Sequence, residues 1–429
     1  MKTRIQAVHG REVLDSRGRP TVEAEVTLAD GSRGAAIVPS GASTGRFEAH
    51  ELRDGDPSRY GGLGVRTAVG HVRGEIAGAL ASQDAQDQRA IDEAMRALDG
   101  TPNLARLGAN ATLAVSLAAC RAVAQSQGRR LYERVAELSG AAPSLPVPMV
   151  NILSGGLHAG RGMDFQDFLA MPARAGSIAE AIEIVGRVRT AAIDVSKRRG
   201  LPTLLADEGG LSPGLESGRE ALRMMVESIE VAGLRPGEDV SIAIDVAAST
   251  LVSTKGYGLE REGRDCSAAE MVEMLEAWVR EFPVVSIEDG LGEEDWEGWR
   301  MLGTRLRDRV QLVGDDLFTT HPQRLQRGIE RSIANGILVK ANQNGTLTGT
   351  LDVIAQARAA GYATIVSARS GETEDAFMSD LAVGAAAGQI KIGSLRTSST
   401  VAKYNQLLRI EEWSGAPYAG FAAVAGRRT

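Results

Sequence analysis

The chain has 429 residues, 43% hydrophobic and 24% charged, with a formal net charge of −7. That balance argues against a protein that coats nucleic acid, although local basic clusters can still hold phosphate, and no run approaches the ~20 apolar residues that span a bilayer. The two cysteines, Cys120 and Cys266, are too far apart for a disulfide framework or metal-cluster spacing, and the opening MKTRIQAVHGREVLDS has no apolar export core. A cytoplasmic protein of two domains is therefore expected.

Residues 3–9 and 21–38 alternate apolar and polar, with a turn at Asp30-Gly31, which predicts a β-hairpin. Helical periodicity follows over 67–98 and 110–138. Strands first and helices after predict a small α+β domain over 1–138. The proline-bearing SGAAPSLPVPMVN (139–151) reads as the linker, and 139–429 as the second domain. There, Val/Ile-rich runs alternate with helical stretches: VSIAIDV at Asp245, PVVSIEDG at Glu288, VQLVGDDL at Asp315 and GILVKANQ at Lys340. Strand–helix alternation of this kind predicts a parallel β/α barrel or sheet, with barrel-type segments continuing to about Ile410.

In such barrels the C-terminal strand ends converge on one mouth, and charged residues there carry chemistry. Asp245, Glu288 and Asp315 share no local motif, so only the fold can bring them together. Three hard oxygen donors without His or Cys suit Mg²⁺. The ordinary alternative, an Asp capping the next helix, suffices for one acid but not for three at successive strand ends followed by a lysine. Lys340 near a metal and other cations is expected to have a lowered pKa and to serve as a general base; alone, it could equally be an ion-pair partner. Lys391 in GQIKIG repeats the placement, as a substrate clamp. VPSGASTG (38–45) offers an anion nest or mobile lid, and ADEGGL (206–211) places Asp207 and Glu208 before two glycines that permit close approach to a ligand. SARSGETED (367–375) puts Arg369 and Ser370 before a helix, where phosphate or carboxylate binds well. Each of these three is weak by itself.

Together, VPSGASTG, GGLHAG (155–160), ADEGG, SIEDGL, GDDLF, KANQ, SGETED, GQIK and VAKYNQLLRIEE resemble the enolase (phosphopyruvate hydratase) family from about Ile5 to Trp413. The resemblance implies an α/β fold, a small N-terminal α+β domain on a modified TIM-type (β/α)8 barrel. It also implies a homodimer or homo-octamer and two Mg²⁺ per site. Enolase-superfamily sites in general pair a Lys or His base with one or two Mg²⁺ ions around an ene-diolate. Carried over by position, Asp245, Glu288 and Asp315 match the ligands of the tighter metal, and Ser40 the lid serine on the second. Lys340 matches the base, and Glu208 the acid that assists the leaving group. Arg369 and Ser370 match the phosphate contacts, Lys391 the carboxylate contact and His158 the second-loop histidine. Gln166 joins them as a substrate contact.

The chain also departs from that pattern. Ala368 stands where the family has an active-site histidine, and Asp167 where it has a glutamate supporting departure of the β-hydroxyl. Ser154 replaces an asparagine, and Asn344-Gly345 an isoleucine-glycine pair. Base and metal ligands are kept while the surroundings of leaving group and phosphate change. This favours a specialised relative, similar to the enzyme of phosphinothricin-type phosphonate pathways that makes carboxyphosphonoenolpyruvate. Such an enzyme takes a phosphoglycerate and a cytidylyl-phosphonoformate co-substrate. Ordinary conversion of 2-phosphoglycerate to phosphoenolpyruvate is the alternative, and a non-catalytic scaffold the third reading.

Overall fold

The computed structural model describes residues 2–41 and 45–426. Strands β1 (Ile5–Leu14), β2 (Pro20–Leu28) and β3 (Arg33–Ile37) form an antiparallel sheet in that order. In β2, Val22, Ala24, Val26 and Leu28 are buried while Glu23, Glu25 and Thr27 are half-buried, the period-2 pattern of a sheet with one face on a core. The expected hairpin is present, its turn held by the Asp30 carboxylate accepting from the Ser32 N–H (2.9 Å). The two helical stretches are each broken in two. Helical turns cover 66–80 and then 88–99, because the intervening chain leaves the helix to bond β1, Ile5 N–H to Gln83 O at 2.9 Å and Ala85 N–H to Thr3 O at 3.0 Å. The second stretch divides into helices 109–126 and 131–139. The first of these, rich in alanine, is buried along most of its length against β2 and β3.

The linker expectation overreaches at its C-terminal end. Strand β4 (Val147–Ser154) already belongs to the barrel, followed by β5 (Asp167–Pro172) and β6 (Val240–Asp245). A three-stranded side sheet, β7 (Val252–Ser253), β8 (Gly256–Leu259) and β9 (Arg264–Cys266), interrupts the series. The barrel continues with β10 (Val284–Glu288), β11 (Gln311–Gly314), β12 (Gly336–Val339), β13 (Ala363–Ser367) and β14 (Gly388–Gly393). It closes in the order β4-β5-β6-β10-β11-β12-β13-β14. The four charged-ended runs do lie parallel, but β5 is antiparallel to both β4 and β6. Among the described residues only a single 3-10 turn, Leu157–Ala159, lies between β4 and β5; two α-helices, 178–198 and 218–231, follow β5 instead. This is the modification of the (β/α)8 barrel.

Val147, Met149, Leu169, Met171, Ala243, Val285, Val313, Leu338 and Ile365 fill the barrel interior, with Val424 from the C-terminal segment packed among them. A second, larger core lies between barrel and helices and runs into the N-terminal domain. No helix among the described residues is long and apolar enough to cross a membrane.

Candidate active site

Strand register sets the polar layer at the mouth. Ser154 pairs with Asp167, Asp167 with Asp245 and Asp245 with Glu288 across β4, β5, β6 and β10. Four polar residues thus stand side by side at one level, above apolar layers. On the far side Lys391 in β14 pairs with Ser367 of β13 and Met149 of β4. Its long side chain crosses the mouth, and Nζ donates to Asp245 Oδ2 and Glu288 Oε2, each at 2.7 Å. Gln166 Nε2 also donates to Asp245 Oδ2 (2.9 Å). Lys340 follows β12 and pairs with Asp315 Oδ2, while Gln343 Nε2 donates to Asp315 Oδ1 (3.0 Å).

Burial pushes the Glu288 carboxyl well above its ordinary value, Asp245 adding to the effect and the Lys391 charge opposing it. Burial alone would lower Lys391, but the charges of Asp245 and Glu288 outweigh it and hold the ammonium well above its usual value. Burial is the largest single influence on Lys340 and pulls its pKa down, but the charges of Asp315 and Glu288 together carry the net shift upward. Its pairing with Asp315 keeps it charged, so a role as base requires that pairing to be relieved.

Asp167, Glu208 and His158 lie across the mouth. Asp167 Oδ1 accepts from Asn151 Nδ2 and from Ser154 Oγ (3.0 Å), leaving Oδ2 buried without a hydrogen-bond partner among the described residues. Burial and the nearby Glu208 charge raise the Asp167 carboxyl well above its ordinary value. His158 Nδ1 lies 3.6 Å from Glu208 Oε1. The close approach expected of the 206–211 glycines is to the protein itself: a Cβ on Gly210 would sit 2.4 Å from Ser154 Oγ and 2.6 Å from Asn151 Oδ1.

Arg369 and Ser370 follow β13. Arg369 is occupied by a residue the sequence reading missed: Nη1 donates to Glu48 Oε2 (2.9 Å) and to Asn342 Oδ1 (3.0 Å). Ser370 Oγ accepts from Arg17 Nη1 (3.3 Å), and Arg17 also reaches Ser40 O (3.1 Å). Ser40 itself pairs across to Gly371, its hydroxyl accepting from Arg53 Nη2 (2.8 Å) and donating to Glu51 Oε2 (3.3 Å). Ala42, Ser43 and Thr44 of the lid motif lie outside the described residues. A cavity of about 390 Å³ leads to Arg369 and Asn342 between the 39–51 segment and the barrel. Ala368, the residue before Arg369, is buried, its N–H donating to Lys391 O (2.8 Å).

The residues suit a hard divalent cation. Glu288 Oε1 is buried without a hydrogen-bond partner among the described residues, beside carboxylates whose negative charge two lysines only partly balance. The groups whose ligand atoms fall within 4.8 Å of one another are His158–Asp167–Glu208 and Asp289–Asp315–Asp316. Asp245 and Glu288 are instead drawn together by Lys391, and Asp315 is held by Lys340. The second group contains two acids not singled out from sequence. Asp289 accepts the N–H groups of Asp315 (3.0 Å) and Asp316 (2.7 Å) and so fixes the β11 strand end. Doubled acids in SIEDG and GDDL were the available signal for both; Gln343 and Glu48 carried none.

A barrel mouth that gathers carboxylates and lysines beneath an N-terminal α+β domain defines a lyase-type enzyme of the enolase superfamily. Family models agree along the chain, the enolase N-terminal domain matching residues 5–135 and the enolase C-terminal TIM barrel domain residues 142–426. The chain belongs to the enolase family. Proteins of this family use Mg²⁺, and the acidic groups here are compatible with it.

Proposed function

We propose that this protein is a specialised enolase-family lyase acting on a phosphoglycerate-type acid, with a leaving group or reaction partner different from that of the glycolytic reaction. Lys340 takes the proton next to the substrate carboxylate, and that C–H electron pair forms the enol. Glu208 protonates the departing β-oxygen as its C–O bond breaks, with Asp167 beside it. Lys391 holds the carboxylate, and Arg369 and Ser370, with His158 and Gln166 nearby, hold the phosphate end once Glu48 yields Arg369. Asp245, Glu288 and Asp315 would hold a first Mg²⁺ and Ser40 a second, supplying charge that stabilises a developing ene-diolate.

The observation that carries the specialised reading is the Ala368–Asp167 pair. A methyl stands where the family has an imidazole, and the shorter Asp167 side chain is engaged by Asn151 and Ser154. This leaves room for a bulkier partner, such as an activated phosphonoformate. In a preorganised site a shift of ~1 Å costs ~10²-fold, and loss of one positioned polar group as much again. Wild type is therefore expected to dehydrate 2-phosphoglycerate slowly, and Ala368→His with Asp167→Glu to raise its kcat/KM by about tenfold or more. Fast wild-type turnover with no gain in the double variant would leave ordinary enolase, the reading favoured by the retained Lys340, Lys391 and carboxylates.

A further inference from the structure

We propose that Ser154 is a positioning residue for the elimination step: with the Asn151 amide, its hydroxyl pins one oxygen of Asp167 so that the other is presented bare to the leaving group. The inference rests on the leaving-group role given above to Asp167 and adds the residue that sets its aim.

Every donor around Asp167 has one destination. Asn151 Nδ2 carries two hydrogens, one for Asp167 Oδ1 and one for Ser154 Oγ (2.9 Å). Ser154 Oγ accepts from that amide, and its own single proton goes to Asp167 Oδ1 (3.0 Å). Turning the amide over would set its oxygen against the carboxylate, so the network fixes its orientation. All three side chains belong to residues at most 1% exposed, and bulk solvent does not compete for these bonds. Both donors thus fall on Oδ1, while Oδ2 is buried with no hydrogen-bond partner among the described residues. Leaving a buried carboxylate oxygen bare is costly, and a substrate hydroxyl supplies the missing donor. The neighbours suit that step: a His158 ring nitrogen and a Glu208 carboxylate oxygen lie within 4.8 Å of an Asp167 oxygen.

Ser154 also ties Asp167 to the segment that carries Glu208. Its backbone N–H donates to Leu211 O (2.7 Å), and the Leu211 N–H to Ile152 O (2.8 Å). Gly210 leaves the space the hydroxyl needs, since a Cβ there would sit 2.4 Å from Ser154 Oγ. One residue therefore sets the spacing of two carboxyl groups that meet the same departing oxygen. The backbone bonds do not depend on its side chain, so removing the hydroxyl alters the aim and spares the scaffold. Asn151 still holds Oδ1 in such a variant, so the expected loss is about tenfold, below the ~10²-fold that a ~1 Å misplacement can cost.

The test separates the two halves of the reaction of 2-phosphoglycerate. Exchange of the proton next to the carboxylate in deuterated water reads Lys340, and formation of phosphoenolpyruvate reads the leaving-group side. Ser154→Ala, and Ser154→Cys, which keeps the volume but offers only a weak donor, are expected to lower kcat for phosphoenolpyruvate about tenfold while KM and the exchange rate stay within about twofold of wild type. Elimination unchanged in both variants but slowed in Asp167→Ala overturns the inference alone. Equal loss of exchange and elimination also overturns it, because that marks general damage to the mouth. Elimination absent in wild type, or unchanged in Asp167→Ala, removes the role of Asp167 and the inference with it.

Discussion

Replacing Lys391 with methionine tests whether the acids beneath it form a cation site or a structural ion-pair cluster. The Nζ of Lys391 contacts two carboxylates at 2.7 Å, and the Asp245 and Glu288 side chains are only 2% and 1% exposed. Methionine fills much of the stem's volume but removes the charge, leaving two buried carboxylates facing one another. Breaking a buried ion pair from one side costs ~3–5 kcal/mol. The upper end is not reached, because burial and the neighbouring Asp245 push the Glu288 carboxyl upward, which eases proton uptake once the lysine charge is gone. In EDTA the variant should therefore melt roughly 3–5 °C below wild type. Added Mg²⁺ should return part of that loss. A cation at 100 times its dissociation constant stabilises by ~2.7 kcal/mol, and the variant should gain more than wild type, in which Lys391 competes for the same oxygens. The assay is a thermal melt of both proteins in EDTA and in a Mg²⁺ series. Equal Mg²⁺ shifts in the two proteins, or no destabilisation in EDTA, would refute the reasoning.

Two further outcomes follow from single residues. Lys340→Ala should lower the melting temperature, because it leaves the buried Asp315 carboxylate with the neutral Gln343 amide in place of its ion-pair partner, while slowing exchange of the substrate proton next to the carboxylate by ~10²–10⁴-fold; wild-type exchange rates by NMR would remove Lys340 from its role. Asp380, buried on helix 377–384, has its carboxyl pushed up to about 7 from an ordinary 3.8, chiefly by burial and against the pull of Arg121. Between those values the folded state binds a proton that the unfolded state has released, so stability falls as pH rises through that window and levels off above it. Asp380→Asn should flatten the fall and stabilise the protein at pH 8, by on the order of a few kcal/mol at most, with little effect at pH 4. Parallel urea-denaturation profiles for variant and wild type across that range would contradict this.

The departures from family pattern show where sequence reading stops. Asn344-Gly345 looks like a change at the active site, because it follows the lysine run. In the structure Asn344 instead binds Arg96 of the N-terminal domain, and Gly345 takes φ +90°, where a Cβ would meet Leu104 Cδ1 at 2.4 Å. It is a domain contact. Ser154 and Asp167, 13 residues apart, do belong to the mouth, and their hydrogen bond is visible only once β4 and β5 pair in antiparallel register.

Sequence alone determined the strand–helix alternation, the family motifs and the acids and lysines at strand ends, because apolar periodicity and chemistry-bearing residue types are local properties of the chain. The reversed strand β5, the breaks at 81–87 and near Gly128, and the pairing of each charge were decided by the tertiary structure. Asp245 and Lys391 are 146 residues apart, and Glu48 and Arg369 are 321 apart. Whether such charges sit bare or paired depends on register and burial around a closed barrel. For Lys340 the charges of Asp315 and Glu288, brought to it only by the closed barrel, together carry the pKa upward against the desolvation of a buried strand-end lysine.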